Sequence, residues 1–238
     1  MNQKNIISLI IPTFNEERYV EQLINNMIAL EPANKEVFFV DGGSSDKTAL
    51  TIQQYAAQYE KIHYVHNPEK YVSNGFNKAF SLSKGKYVAL MGAHTKYPDD
   101  YLKIGLAALE SNEADAVGGP LQHISNTEKG EVIAACMSSS FGVGNTEFRT
   151  SKKRMYVDSA PFAIYKKDIF DQIGLFDTQL VRNQDDEFHY RINAAGYRIL
   201  MIPEMETEYV VRDSFKKLFS QYFQYGSYKP LVLKKVKS

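Results

Sequence analysis

Three short stretches of this chain place reactive side chains where apolar runs end. The first is Asp41-Gly42-Gly43-Ser44-Ser45-Asp46, between the run Val37 to Val40 and a helical stripe of Ala49, Ile52, Ala56 and Tyr59. Two glycines let the backbone come close to a ligand, and a helix N-terminus favours an anion. Two carboxylates in one turn would repel a bare phosphate, so Asp41 is better suited to accept from a base N–H or a ribose hydroxyl. A tight turn with Ser45 or Asp46 as helix cap explains the same residues without any ligand.

The second stretch is Gly92-Ala93-His94-Thr95, directly after the run Tyr87 to Met91. His94 is expected to project there as a metal or phosphate ligand, and imidazole suits Mn²⁺ better than it suits Mg²⁺ or Ca²⁺. A hydrogen bond to a neighbouring loop is the plainer role. The third is Gln184-Asp185-Asp186-Glu187, three acids at the mouth of a helix. The helix dipole and the cap position account for one or two of them. Successive helical residues point in different directions, so one acid can cap while another faces a cleft as general base.

These loops need a scaffold, and the chain has the size for one. Its 238 residues are 44% hydrophobic and 24% charged, as in a globular α/β domain. Twenty-eight basic and 28 acidic residues cancel, which advertises no general affinity for nucleic acid. The single cysteine, Cys136, cannot form an internal disulfide, and no signal segment precedes Ile6, so the cytoplasm is the expected compartment. Strand-like runs at Ile6 to Ile11, Val37 to Val40, Ile62 to Val65, Tyr87 to Met91 and Ala116 to Gly118 alternate with helical stripes. Asn15 is placed to cap the first helix and Pro98 to open the fourth. The pattern predicts a mostly parallel central sheet with helices on both faces and ligands at the carboxyl ends of its strands.

Beyond Pro120 the pattern loosens, and residues 122–153 read as loops or a flap. Regularity returns with a strand at Phe162 to Tyr165, a short helix near Asp168 to Ile173, a helix from about Asp186 to Ala195 closed by Gly196, and a strand from Arg198 to Ile202. From Arg212 onward seven basic residues face one acid, and Phe215, Leu218, Phe219, Tyr222 and Phe223 recur at helical spacing. Such a helix fits a membrane interface, and equally fits packing on the domain. Lys234, Lys235 and Lys237, beyond Pro230, add a basic end that anionic lipid headgroups attract.

Taken in order, Ile10-Ile11-Pro12-Thr13-Phe14-Asn15-Glu16, Val40 to Thr48, Asn74-Gly75 with Asn77 and Ala79, Lys84 to Val88, and later Asn183 to Glu187 with Arg191 and Gly196 resemble the family-2 inverting glycosyltransferases of the GT-A fold. Ala93-His94-Thr95 with Tyr97-Pro98, Asp158 with Pro161, and Gln221 through Lys229 are similar to the succinoglycan type of bacterial exopolysaccharide enzyme. The resemblance implies a nucleotide-diphosphate-sugar donor, with Pro12, Thr13, Asn15, Glu16, Gly42, Asn74 and Ala93 lining its pocket and Asp41 bonding the base, commonly uracil. It implies a divalent cation, Mn²⁺ or Mg²⁺, with His94 as ligand. The family's Asp-x-Asp triplet reads Gly92-Ala93-His94 here, so the first carboxylate is absent.

By the same resemblance Asp185 is the general base of a single inverting displacement. Asp186, Glu187 and Asp158 belong to the acceptor side or support it. The expected organisation is one domain over residues 1–211, with a nucleotide-binding half to 118 and an acceptor-binding half after it, followed by a basic aromatic tail over 212–238. The partners implied are a UDP-sugar, a lipid-linked or polysaccharide acceptor, and a membrane surface at the inner face of the cell. Family members of this subtype often continue into membrane helices near the position of Ser238, so a shortened form or a paralogue working with a membrane partner is expected. A protein of this fold that binds nucleotide-sugar or glycan without turnover is the alternative, motivated by Gly92.

Overall fold

Strand β1 (Ile7–Thr13) is buried along nearly its whole length because it is flanked on both sides, by β2 (Lys35–Asp41) and by β4 (Tyr87–Leu90), both parallel to it. The computed structural model describes residues 7–139 and 153–236. Between these strands run α1 (Val20–Ala29), α2 (Thr48–Gln58), β3 (Ile62–His66) and α3 (Val72–Leu82). Then come β5 (Thr95–Lys96), α4 (Tyr101–Glu110), β6 (Ala116–Gly118), β7 (Leu121–Ile124), α5 (Glu128–Ser138), β8 (Met155–Val157) and β9 (Ile164–Lys166). The chain continues through α6 (Ile169–Ile173), α7 (Gln184–Ala194), β10 (Ile199–Met201), β11 (Thr207–Val210) and α8 (Phe215–Val236).

The main sheet has eight strands in the order β3-β2-β1-β4-β9-β6-β10-β8, and β5-β11-β7 form a second, smaller sheet. Strand β9 runs antiparallel between β4 and β6, and β8 is an antiparallel edge. Alternation along β1 divides the core between the two faces. Ile7, Leu9 and Ile11 pack with Leu23, Ile24 and Met27 of α1 and Leu102 and Leu106 of α4. Ile10 points the other way, into a cluster with Phe76 of α3, Phe170 of α6 and Phe188 of α7. The helices therefore lie on both faces, and the crossover loops emerge at the carboxyl ends of β1, β2 and β4.

Several local expectations change. Asn15 does not cap α1; it takes a left-handed backbone, φ 56°, within the loop that precedes the helix, as short polar side chains can. Pro98 lies one turn ahead of α4, its carbonyl accepting from Tyr101 N at 3.0 Å. The stretch read as loops contains β7 and α5, capped by Thr127, whose hydroxyl accepts from Gly130 N at 3.2 Å. Its periodicity is diluted by Gly130, Cys136 and Ser138, and its small apolar face packs on Val211 from beyond β11. Residues 140–152 of that stretch lie outside the described ones. Helix α8 runs through Pro230 and takes in Lys234 and Lys235 of the basic end. Among the described residues no helix is long and apolar enough to cross a membrane.

Candidate active site

The β1 and β2 loops are fastened to each other by backbone-to-side-chain bonds. Thr13 lies opposite Asp41 in the parallel register, and Gly42 N donates to Thr13 O at 2.9 Å. Asn15 N donates to Ser44 Oγ at 2.8 Å, and Ser45 N returns a bond to Asn15 Oδ1 at 2.9 Å. Glu16 N donates to Thr48 Oγ1 at 2.7 Å and Glu17 N to Asp46 Oδ2 at 3.1 Å. Ser44, Asp46 and Thr48 thus hold the Asn15–Glu17 turn in place, a role not visible from their sequence positions because their partners lie about thirty residues upstream. Thr13 Oγ1 is buried at this edge without a hydrogen-bond partner.

Asp41 is buried, with a carboxylate turned into its own loop. Oδ2 accepts from Gly43 N at 3.0 Å and Ser44 N at 3.1 Å, and Oδ1 accepts from Ser44 Oγ at 2.5 Å. It shapes the turn as well as facing β1. Of the two glycines, Gly43 is required by its φ of +79°, whereas a Cβ on Gly42 would meet its neighbours no closer than 3.4 Å. Asn74 sits in the first turn of α3, beside Ser73, whose hydroxyl donates to Leu180 O at 3.3 Å. Asn77 makes a reciprocal pair with the Phe176 backbone at 2.8 and 3.1 Å, so part of that motif ties α3 to the segment leading into α7.

At the end of β4, His94 Nε2 lies 2.9 Å from Glu16 Oε1, and the Tyr19 ring meets the imidazole edge-on at 6.0 Å. Gly92 is enclosed: a Cβ there would come within 2.6 Å of both the Phe162 ring and Thr95 Oγ1, and its N–H donates to buried Tyr97 Oη at 2.6 Å. Phe162 itself has φ +49°, a strained conformation for an aromatic residue, and its carbonyl accepts from Tyr101 Oη at 2.8 Å. Position 92 therefore has no room for a carboxylate while Phe162 stays where it is. Among the described residues no three His, Cys, Asp or Glu side chains gather as a metal-binding group. One imidazole with one carboxylate nevertheless fits an ion that takes most of its oxygens from a diphosphate and water, as Mg²⁺-type sites commonly do.

Helix α7 separates its three acids. Asn183, at the N-cap, is left-handed with φ 60° and donates through Nδ2 to Tyr225 O of α8 at 2.8 Å. Asp185 is half-buried; desolvation first, and then neighbouring Asp186, raises its pKa above the ordinary carboxylate value. Asp186 pairs with Lys229 of α8 at 2.8 Å. Glu187 is buried and bidentate with Arg191 at 2.7 and 2.8 Å, and that guanidinium also binds the carbonyls of Ile173 and Leu175. Glu187 therefore clamps α7 to the segment after α6 through Arg191. Asp158 is exposed, its carbonyl accepting from Asn193, two turns along α7 from Asp185.

Behind Asp185 lies a buried polar relay absent from the sequence reading. His189 Nδ1 is 2.8 Å from Ser159 Oγ and its Nε2 is 2.8 Å from Tyr165 Oη. Burial pushes the His189 pKa down to about 4, against Asp186, which opposes it, and holds Tyr165 well above its usual range. The unfolded chain takes up this proton near 6.5 and the folded one only near 4, so the stability that a neutral His189 supplies is whole above the upper value and is lost as pH falls through the window. Denaturant midpoints taken near pH 7.5 and pH 5 are expected to differ by more in the parent than in His189→Gln, the excess being at most roughly 1.4 kcal/mol per pH unit crossed.

The strand-edge and helix groups are linked through β11 and α8. His94 O accepts from Val210 N at 3.2 Å, and Thr95 pairs with Tyr209 across β5 and β11. Burial raises the Tyr225 phenol, and both Tyr209 and Asp185 are close enough to add to that shift. The tail thus packs on the mouth of α7 and the segment before it, anchored by Lys229 to Asp186, Arg182 Nε to Gln224 Oε1 at 2.9 Å, and Lys235 to Asp177.

Residues 8–174 match the family described as glycosyl transferase family 2. The chain belongs to this family. It is similar to the succinoglycan biosynthesis protein ExoA of Rhizobium meliloti, 30% identical over 92% of this chain and 67% of that protein. It is also similar to a dolichyl-phosphate-sugar diacetamido-glucuronosyltransferase of Methanococcus voltae, 29% identical over 97% of this chain and 75% of the relative. Among solved structures, S. aureus TarS 1-349 with UDP-GlcNAc superposes with a TM-score of 0.67 at 18% identity, covering 88% of this chain and 59% of that one. The mannosyltransferase PcManGT of Pyrobaculum calidifontis, with GDP-Man and Mn²⁺, gives 0.67 at 18%, covering 90% and 59%. The family-2 chain therefore has the α/β fold of the GT-A transferases and is a glycosyltransferase, spanning about three fifths of those solved chains.

Proposed function

We propose that this transferase moves a sugar from a UDP-sugar to a hydroxyl of a lipid-linked or polysaccharide acceptor, with inversion, in the synthesis of a cell-surface glycan. The observation that carries the reading is a half-buried carboxylate, Asp185, in the first turn of α7 beside Tyr225 of α8, with Tyr225 also close to Tyr209 of β11, whose neighbour Val210 bonds the His94 carbonyl. In the step proposed, Asp185 takes the proton of the acceptor hydroxyl, the freed oxygen bonds to the anomeric carbon, and the bond from that carbon to the diphosphate oxygen breaks. One carboxylate suffices because no covalent sugar intermediate forms.

Pro12, Thr13, Asn15, Asp41, Gly42, Asn74 and Ala93 are proposed to line the nucleotide pocket in the half ending near residue 118, with the acceptor bound by the half from 119 to 211. The fastened loops and the partnerless Thr13 hydroxyl support that assignment. His94 and Glu16 would hold a Mn²⁺ or Mg²⁺ ion. When bound, it would offset charge on the departing diphosphate. A position at the inner membrane face is supported by the exposed Phe215, Phe219 and Phe223 of α8. The closed position at Gly92 favours a second reading, a nucleotide-sugar or glycan-binding protein without turnover.

Calorimetry with UDP, with and without Mn²⁺, and donor hydrolysis separate the two. Metal-dependent UDP binding with slow hydrolysis supports the enzyme; metal-indifferent binding without hydrolysis supports the second reading. A further expectation concerns pH. Lys229 lowers the Asp185 pKa and Asp186 raises it. Lys229→Met is therefore expected to move the acid limb of the kcat profile upward, and Asp186→Asn downward.

A further inference from the structure

A groove of about 690 Å³ opens on the α1 side of His94. That is within the usual range for a small-molecule site. Its walls are one face of α1, the segment Ala93 to Lys96, the start of α5, and the chain from Glu208 to Lys217. The α1 face carries Tyr19, Gln22 and Asn26 at i, i+3 and i+7, with Asn25 beside them. An exposed helix face ordinarily carries Lys, Glu or Ala, which favour the helix; asparagines in its interior weaken it. This sequence accepts that cost along a face that lines a cavity.

The chemistry of the lining is specific. Gln22, Asn26 and Asn126 present planar amides that donate and accept at once, matching vicinal hydroxyls. Tyr19 is 53% exposed and offers a ring face against which the C–H face of a pyranose packs. Leu23, Val210 and Val211 supply an apolar floor. Of the three Lys and Arg residues in the lining, two lie beside acids, Lys96 3.7 Å from Glu208 and Lys217 2.8 Å from Asp213, and the third is Arg212. A nucleic acid or polyanion would need more cations than this one arginine, and a lipid tail would need fewer amides.

We propose that this groove binds sugar units of the acceptor glycan, removed from the hydroxyl that reacts. The inference rests on the transferase reading for its direction. The groove shares the Ala93–Lys96 wall with the nucleotide side, and the chain that leaves it through Lys217 becomes α8, which carries Tyr225 to Asp185.

The test uses the full chain, fluorescently labelled, on an array of neutral, N-acetylated and uronate oligosaccharides. The comparison is with Gln22→Ala/Asn26→Ala, which replaces half-exposed and exposed amides by the best helix former and should fold. Thermal melting and UDP titration run alongside. The parent is expected to bind at least one saccharide class, and the variant to bind it about tenfold more weakly with unchanged UDP affinity. No saccharide bound by the parent, or equal binding by the variant, overturns the groove while leaving the transferase reading standing. Saccharide binding without UDP binding or donor hydrolysis overturns the transferase reading and leaves a glycan site.

Discussion

Replacing Asp185 by asparagine is expected to lower kcat by about a thousandfold while UDP affinity changes less than about twofold, since general base catalysis contributes typically 10²–10⁴. The amide keeps the shape and the position at the first turn of α7 but cannot accept the acceptor proton. The same substitution separates catalysis from capping. A carboxylate kept at a helix N-terminus for the dipole alone contributes about 0.3–1 kcal/mol, so its loss would lower the melting temperature and leave turnover nearly intact. Here desolvation raises the Asp185 pKa, so the folded state holds that proton more tightly than the unfolded chain. The contribution to stability is full below the ordinary carboxylate pKa and is lost as pH rises, which makes the ionised group a liability at neutral pH. Asp185→Asn is therefore expected to melt no lower than the parent near neutrality. Retained turnover would remove Asp185 as the base.

How much of this was legible in the sequence differs from element to element. The alternation of β1 through β4 with α1 through α4 was readable because β1, β2 and β4 are buried nearly throughout, the edge strand β3 in part, and each helix on one face, so the periods are strong. Ala116 to Gly118, although three residues long, was readable as the strand that follows α4. Helix α5 was not, because its inner face meets only a small cluster with Val211 and Leu218, and a short burial requirement leaves a weak pattern. That α8 continues through Pro230 was not legible for a different reason. That helix is held from outside by Lys229, Lys235 and Tyr225, so long-range contacts compensate for one lost backbone bond.

The candidate site divides in the same way. The types and order of Asp41, His94 and Asp185 were visible, and the fold brings them to strand ends and a helix mouth. What could not be read was direction. Asp186 and Glu187 follow Asp185 directly, yet one turns to Lys229 and the other to Arg191, because successive helical residues are about 100° apart and each finds the partner on its side. The Ser159–His189–Tyr165 relay was equally out of reach, since its members are joined by burial and not by spacing.

For His94→Ala the expected result is a loss of the Mn²⁺-dependent part of UDP binding, with donor turnover down by about a hundredfold, as when one preorganised group facing a developing oxyanion is removed. His94 is suited to that role by what holds it: Glu16 Oε1 at 2.9 Å from Nε2, the Tyr19 ring at its edge, and the β11 backbone on its carbonyl. Glu16→Gln keeps a hydrogen-bonding oxygen at that position but removes the charge, so it should weaken the metal response by less than His94→Ala does. The two variants together distinguish a ligand from a packing residue. If His94 only ties two loops together, both substitutions would loosen the turn and lower the melting temperature, and the calorimetric response to Mn²⁺ would stay as in the parent. A metal response lost from an enzyme that still melts normally assigns His94 to the donor, because only a group that meets the diphosphate can remove ion-dependent affinity without disturbing the fold.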